Sequence, residues 1–310
     1  MTPNSDIEYR DATDEDYEAV VDFTEETWAN LDVETADYIP DIYHDWIEGE
    51  DTKTIVADAG DEIAGIAQFV MLSEYEGWAQ GMRVNPDFRG KGIGSAIVEA
   101  LFEWGRSQGA TIARNMVFSW NQAVLGQSRA LGFEPVTEFR WLHPEPEPSE
   151  EPPASADPDA AWAYWSGCEV RDQLRGLALD MDHAWTLRDL TRGMLTRAAS
   201  ESALLTVTDE SGTTGMSYRS RLFEADTEDG EGDGSETETI AEYGVAAWDG
   251  LDAGRELLAE IAADAADCGA DRTRVLIPET AAVVSDGAYL KAEIAAEPDF
   301  VLAADLTGDQ

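Results

Sequence analysis

The residues best placed to do chemistry lie between Met82 and Ser95, in the run Met-Arg-Val-Asn-Pro-Asp-Phe-Arg-Gly-Lys-Gly-Ile-Gly-Ser. Gly90, Gly92 and Gly94 let a backbone without side chains approach a ligand closely and turn its N–H groups inward. A helix starting there adds unpaired donors and a partial positive charge. That combination cradles a phosphate, and a plain tight turn is the competing reading. Arg89 and Lys91 bring full positive charge to its lip, and Lys91 is one of only three lysines, with Lys53 and Lys291. The nucleotide-hydrolase spacing Gly-x-x-x-x-Gly-Lys-Ser/Thr occurs nowhere in the chain. A dinucleotide fingerprint needs Gly-x-Gly-x-x-Gly, whereas the spacing here is Gly-x-Gly-x-Gly.

Other constellations carry less. Asp180, Asp182 and His183 resemble metal ligands but serve equally as a polar helix face, and no metal is expected. Neither a Gly-x-Ser-x-Gly elbow nor a cysteine nucleophile motif occurs. Cys168 and Cys268 do not make a disulfide framework and are read as reduced thiols.

The glycine loop needs a strand to deliver it and a helix to receive it. Trp78, Gln80, Met82 and Val84 fall on one face of a period-two run, which predicts a strand over 77–84 that Pro86 ends. Ile93, Ile97, Ala100, Leu101 and Trp104 recur at helical spacing, and Gly109 supplies the left-handed residue that closes that helix. Ahead of this unit, 7–10 reads as a strand. Thr13 with Asp16 caps a helix through Tyr17, Val20, Val21, Phe23 and Trp28, and a second helix carries Ile42, Tyr43, Trp46 and Ile47. A hairpin over 52–58 and 63–72 turns at Gly60-Asp61. Behind it follow a strand over 111–118, a helix over 121–131 and closing strands over 136–142.

The spacing of Arg89, Gly92 and Gly94 closely resembles the acetyl-CoA loop of the GNAT (GCN5-related) N-acetyltransferase superfamily, Arg/Gln-x-x-Gly-x-Gly/Ala. Val84-Asn85-Pro86, Asn121 and Gly132-Phe133 sit where members of that family carry them, so the likeness covers residues 5 to 143. The resemblance implies that an amine attacks the thioester of acetyl-CoA directly, with no metal and no covalent enzyme intermediate. It further implies that main chain at Met82, Arg83 and Val84 holds pantetheine, that Arg89, Gly90, Lys91, Gly92, Ile93, Gly94 and Ser95 hold the pyrophosphate, and that Asn121 contacts the cofactor. Tyr38, Tyr43 and Trp46 are candidates for the acceptor pocket, with core packing as the alternative. Two departures stand out. Members often carry a tyrosine acid seven residues after the asparagine, where this chain has Ser128, and a glutamate on the central strand, where Trp78 to Val84 has none. Glu76, just before the strand, is the expected proton outlet, while Glu74 and Glu76 as plain solvated residues is the competing reading. Loss of turnover would leave an acyl-CoA-binding sensor or interaction protein instead.

Composition sets the rest. The 310 residues carry 65 Asp and Glu against 20 Lys and Arg, a formal charge of −45, with 43% apolar residues. That apolar share excludes a disordered acidic chain and places the acid on a folded surface. The excess resembles adaptation to a cytoplasm near salt saturation, hence a member of haloarchaeal type. No basic stripe exists to replace phosphate counterions, so nucleic acid is not an expected partner. Neither a signal peptide nor a bilayer-length apolar run is seen, so a soluble cytoplasmic protein, monomer or homodimer, is expected.

Residues 144–161 hold half of the chain's prolines among glutamates and read as an extended linker. Beyond it the pattern returns: a hairpin over 202–208 and 215–222, a strand over 239–248, a helix over 253–266, and Gly269-Ala270 echoing Gly109-Ala110. The counterpart of the glycine loop reads Trp-Asp-Gly-Leu-Asp-Ala-Gly, in which Asp249 and Asp252 repel a pyrophosphate. The expectation is therefore an α/β (α+β) chain of two tandem GNAT-like domains, each a mixed, mostly antiparallel sheet flanked by helices. Residues 1–143 are the acetyltransferase domain and 162–310 a degenerate copy without a cofactor loop. Glu224 to Glu238 is read as a solvated loop.

Overall fold

A computed structural model describes residues 7–24, 37–150, 156–226 and 237–308. They form two compact units. The first gathers the described residues up to Asn115, Ala123–Pro135 and those from Leu302 onward; the second gathers Met116–Gln122 and Val136–Val301.

The N-terminal elements run β1 (Glu8–Asp11), α1 (Tyr17–Thr24), α2 (Ile39–Glu48), β2 (Thr52–Asp58), β3 (Ile63–Met71), β4 (Glu76–Val84), α3 (Ile93–Gln108), β5 (Ile112–Phe118) and α4 (Gln122–Ala130). Strands β1 to β4 pair antiparallel in sequence order, and β5 joins β4 in parallel. The predicted cap at Thr13 holds a single 3₁₀ turn, Asp14–Asp16, through a reciprocal capping box, and α1 follows directly. Trp28 lies outside the described residues. One apolar face of α1 and α2 places Val20, Phe23, Ile39, Tyr43 and Trp46 against Val56, Ile63 and Ile66. On the other face, Ile97, Leu101 and Phe102 of α3 are buried, and Gly109 caps that helix at φ 105°.

One expectation is overturned inside β4. The register runs Gly65↔Val84 and Ile66↔Arg83, then Gln68↔Gln80, so β4 carries one residue more than β3 over this stretch. That is a β-bulge, and Gly81 takes it at φ 63°. The extra residue inverts the alternation. Gln80 bonds Gln68, whose amide reaches the Trp46 carbonyl of α2, whereas Met82 and Val84 lie beside Gly94 of α3. Trp78 and Gln80 therefore do not share a face with Met82 and Val84.

The second series runs β6 (Glu134–His143), α5 (Pro158–Gly167), α6 (Glu169–Gln173), β7 (Leu177–Leu179), β8 (Leu187–Asp189), α7 (Arg192–Glu201), β9 (Ala203–Asp209), β10 (Gly212–Asp226), β11 (Thr237–Trp248), α8 (Gly250–Asp267), β12 (Arg272–Pro278), α9 (Ala281–Tyr289), β13 (Glu293–Ile294) and β14 (Asp299–Asp305). Strands β9, β10 and β11 are antiparallel and β12 is parallel to β11. This is the succession of β2, β3, β4 and β5. The stretch 224–238 enters β10 and β11 at its ends, and 227–236 lie outside the described residues.

The units do not divide at residue 143. β6 pairs with β12 and β13, which places Val136–His143 in the second unit. In exchange, the end of the chain belongs to the first: the Leu306 N–H donates to the Thr111 carbonyl at 2.9 Å, and Arg106 Nε donates to the Leu306 carbonyl at 3.2 Å. The linker is also shorter than its composition suggests. Pro158 opens α5, with the Asp157 carboxylate accepting from the Asp159 N–H, because proline fits the first helical position.

Candidate functional site

In the first unit β4 and β5 pair only over Glu76↔Ile112, Gly77↔Ala113 and Trp78↔Arg114. Beyond Trp78 the bulge turns β4 away, and main chain from Ala79 to Val84 no longer has β5 as a ladder partner. The strands form a fork. Across its α3 side lies Gln127 of α4, whose Nε2 donates to Met82 Sδ at 3.0 Å; a Cβ on Gly94 would lie 2.5 Å from that nitrogen. Gly94 is thus the residue that lets β4, the start of α3 and α4 meet.

The loop leaving β4 is set by Asn85, whose side chain accepts from the Asp87 N–H and donates to the Ile63 carbonyl. Gly90 and Gly92 sit at φ 75° and 82°, with nothing within 4 Å of where a Cβ would stand. They serve conformation and outward access rather than internal packing. Ile93 is buried and anchors the first turn of α3, while Ser95 is exposed on it. With glycine at the N-cap, no side chain satisfies the leading N–H groups.

Positive charge gathers at this loop. Lys53 pairs with Asp11, Arg83 with Asp37 and Arg114 with Glu76. Among the described residues, Arg89 and Lys91 have no carboxylate partner; both are exposed, and Lys91 Nζ rests 4.4 Å from the Phe88 ring centroid. Two cations without carboxylate partners beside a helix N-terminus make a locally positive patch in a chain of charge −45.

The expected catalytic residues fare differently. Glu76 has no exposed surface, and its Oε1 accepts from Arg114 Nη1 at 2.6 Å while Oε2 accepts from the Ser73 hydroxyl at 3.0 Å. Held by both oxygens, it braces the root of the fork. Ser128 is also buried, and its hydroxyl oxygen accepts from Asn115 Nδ2 at 3.1 Å. Met82 and Val84 stand on the α3 side, whereas the Arg83 side chain turns to the opposite face, bound to Asp37 at 2.6 Å and lying over the Tyr38 ring. Asn121 falls in the second unit, where its N–H donates to the Phe118 carbonyl.

Of the aromatic candidates, Tyr43 is core, its hydroxyl donating to the Thr13 carbonyl, and Trp46 packs under Gly81. Tyr38 is 44% exposed. The sequence reading missed Asp37, Asn115 and Gln127, because each gains its role from a partner distant along the chain. The Asp180 trio is held in ion pairs: Asp182 binds Arg197, and the Asp180 carboxylate accepts from the N–H groups of Asp182 and His183 and from Arg188. Burial raises the Asp180 pKa, but the hydrogen bonds from His183 and from main chain outweigh it and hold it at about 2. No group of metal-ligating side chains is found among the described residues.

In the second unit α8 begins without a glycine-rich loop of this kind. Asp249 stands before Gly250, and the Tyr164 hydroxyl of α5 donates to its carboxylate at 3.0 Å.

Compared with known proteins, residues 17–133 match the acetyltransferase (GNAT) family. The L-methionine sulfoximine/L-methionine sulfone acetyltransferase of Pseudomonas aeruginosa is 34% identical over 84 residues, 26% of this chain and 49% of that protein. The thialysine N-epsilon-acetyltransferase of Bos taurus is 32% identical over 66 residues, 21% of this chain and 39% of that one. The chain thus spans about half the length, or less, of these curated relatives. A GCN5-related N-acetyltransferase from Sphaerobacter thermophilus shares the fold over the full chain: TM-score 0.61 at 16% identity, covering 100% of this chain and 98% of that one.

Proposed function

Since residues 17–133 form a domain of the acetyltransferase (GNAT) family, we propose that this protein transfers an acetyl group from acetyl-CoA to an amine in its first unit. The observation that carries this reading is the glycine loop, with Arg89 and Lys91 left without carboxylate partners over the uncapped start of α3. The residues fit the cofactor: Arg89 to Ser95 would hold the pyrophosphate, and main chain of Met82 to Val84 the pantetheine arm. Bound acetyl-CoA supplies a thioester, an acyl group already activated toward an amine nitrogen. The chain supplies position, with the bulge at Gly81 aiming main chain into the fork. Gln80 and Gln68 line the α2 side of β4 and carry no titratable group, so the proton of the amine leaves through water rather than a side chain. Ser128 lies where an acid stands in many relatives; a hydroxyl holds the thiolate by hydrogen bonding without protonating it. The second unit, its loop closed by Tyr164 and Asp249, is a fold without a cofactor site.

The test is direct. CoA should raise the melting temperature of the protein in molar salt, and acetyl-CoA should turn over with members of a panel of amines. Arg89→Glu, by charge reversal, and Gly92→Asp, by a carboxylate set against the phosphates, should each weaken CoA at least a hundredfold. Unchanged affinity in both variants overturns the site. CoA binding with no turnover on any amine favours a second reading, an acyl-CoA sensor, which the burial of both Glu76 and Ser128 supports.

A further inference from the structure

Asn115 is the first residue of β5 past the last rung it shares with β4, so its side chain stands at the mouth of the fork. Its Nδ2 donates to Ser128 on α4, whereas its Oδ1 is buried and has no hydrogen-bond partner among the described residues. A buried carbonyl oxygen left so is costly, and such atoms are rare in folded proteins unless a ligand completes them. If the amide is turned over, its nitrogen becomes the unpartnered end, so either orientation leaves one polar group to be met. Beside Ser128 on α4, Gln127 reaches β4, its amide donating to the Met82 thioether. Asn115, Ser128, Gln127 and Met82 are all neutral, whereas the loop carries Arg89 and Lys91. Phosphate belongs at the loop. What suits neutral hydrogen-bonding groups is a thin, uncharged chain carrying amides.

We propose that Asn115 is a cofactor-positioning residue, its carboxamide bonding an amide of the pantetheine arm while holding the Ser128 hydroxyl beside it. This inference rests on the acetyl-CoA reading of the first unit and names a contact beyond the loop. A pantetheine amide has both an N–H and a carbonyl, so it satisfies whichever end of the Asn115 amide is left without a partner. Arm and phosphates are then read by separate parts of the unit: neutral hydrogen bonds at the fork, and charge with main chain at the loop.

The separation gives the test. Binding of CoA and of ADP, which has the pyrophosphate but no pantetheine, is measured by calorimetry on the full chain in molar salt. Asn115→Ala should weaken CoA about three- to tenfold, the range of one neutral hydrogen bond, and leave ADP unchanged. Ser128→Ala keeps the Asn115 carboxamide and should weaken CoA less than Asn115→Ala does. Arg89→Glu should weaken both ligands. An Asn115→Ala protein that melts like the parent and binds CoA equally well overturns the inference; so does equal loss of CoA and ADP, which marks a general distortion. Should Asn115→Ala not fold, Asn115→Ser, smaller and still polar, takes its place with the same two outcomes. Failure of the parent itself to bind CoA sinks the acetyl-CoA reading instead, so the two failures are distinct.

Discussion

Glu76 and Arg114 form an ion pair with almost no exposed surface, where a lone charge is far more costly than a matched one. Glu76→Gln removes the buried charge that Arg114 Nη1 meets and should lower stability by about 3 kcal/mol. Its pH–rate profile, measured where the variant is folded, should keep the parent's rising limb; an upward shift of that limb would identify Glu76 as the proton outlet. Asp299 is the opposite case. Burial raises its pKa from 3.8 to about 6, against the Trp141 N–H and the Arg274 charge, which favour the carboxylate. Its folded pKa therefore exceeds its unfolded one, so the folded state holds the proton more tightly. Stability falls as pH rises from about 4 to about 6 and stays at the lower value above that. Asp299→Asn keeps an oxygen for Trp141 and cannot ionise, so at pH 7.5 it should be more stable than the parent by up to about 3 kcal/mol. Denaturant melts at fixed salt should show that gain shrinking toward pH 4; a gain independent of pH would count against a buried carboxylate. Neither role is visible in the sequence, where the two are among 65 acidic residues. Burial decides them, and burial is a property of the assembled sheet. The turn that carries Arg89, Gly92 and Gly94 was legible because a glycine turn is built from neighbours in the chain.

At the scale of elements, the glycine-rich turn and α3 follow from local rules of spacing, and the structure keeps them. The bulge in β4 does not follow. Period-two counting from Trp78 to Val84 assumes an unbroken pleat, and the only sign of the break is Gly81, which also suits an ordinary strand glycine. The fork depends on this one residue. A Cβ at Gly81 would overlap the Trp46 ring as well as strain a left-handed backbone. Gly81→Val should therefore cost about 3 kcal/mol or more, and survivors should bind CoA poorly, because straightening β4 carries Met82 to the wrong face. Native-like stability with normal CoA binding would show that the fork does not need the bulge. The elements between 168 and 201 were not read from the sequence. They are short, α6 and the pair β7 and β8 among them, and their ends are fixed by side-chain bonds such as those around Asp180 rather than by periodicity.

The whole molecule is ruled by its charge. A net −45 repels over a Debye length of about 10 Å in 0.1 M salt and about 3 Å in 1 M salt. The melting temperature should rise steeply from dilute to molar KCl, and more than in sucrose of equal osmolality. A melt indifferent to KCl would refute adaptation to salt. The same acidity gives the Arg89 and Lys91 loop its contrast, since dense salt mutes distant carboxylates and leaves the two cations to act at contact range. The tandem succession of strands was readable, but the division into units was not. Strand β6 and residues from Leu302 onward trade places between the units, and no local pattern marks a segment that pairs far along the chain. That trade has a consequence for biosynthesis. Thr111 and Arg106 meet their partner at Leu306 only after the entire second half has been translated, roughly ten to forty seconds later at ordinary elongation rates. The half that would acetylate is the first to leave the ribosome and the last to be completed, so a chain interrupted anywhere in its second half should yield a nascent enzyme that never becomes active.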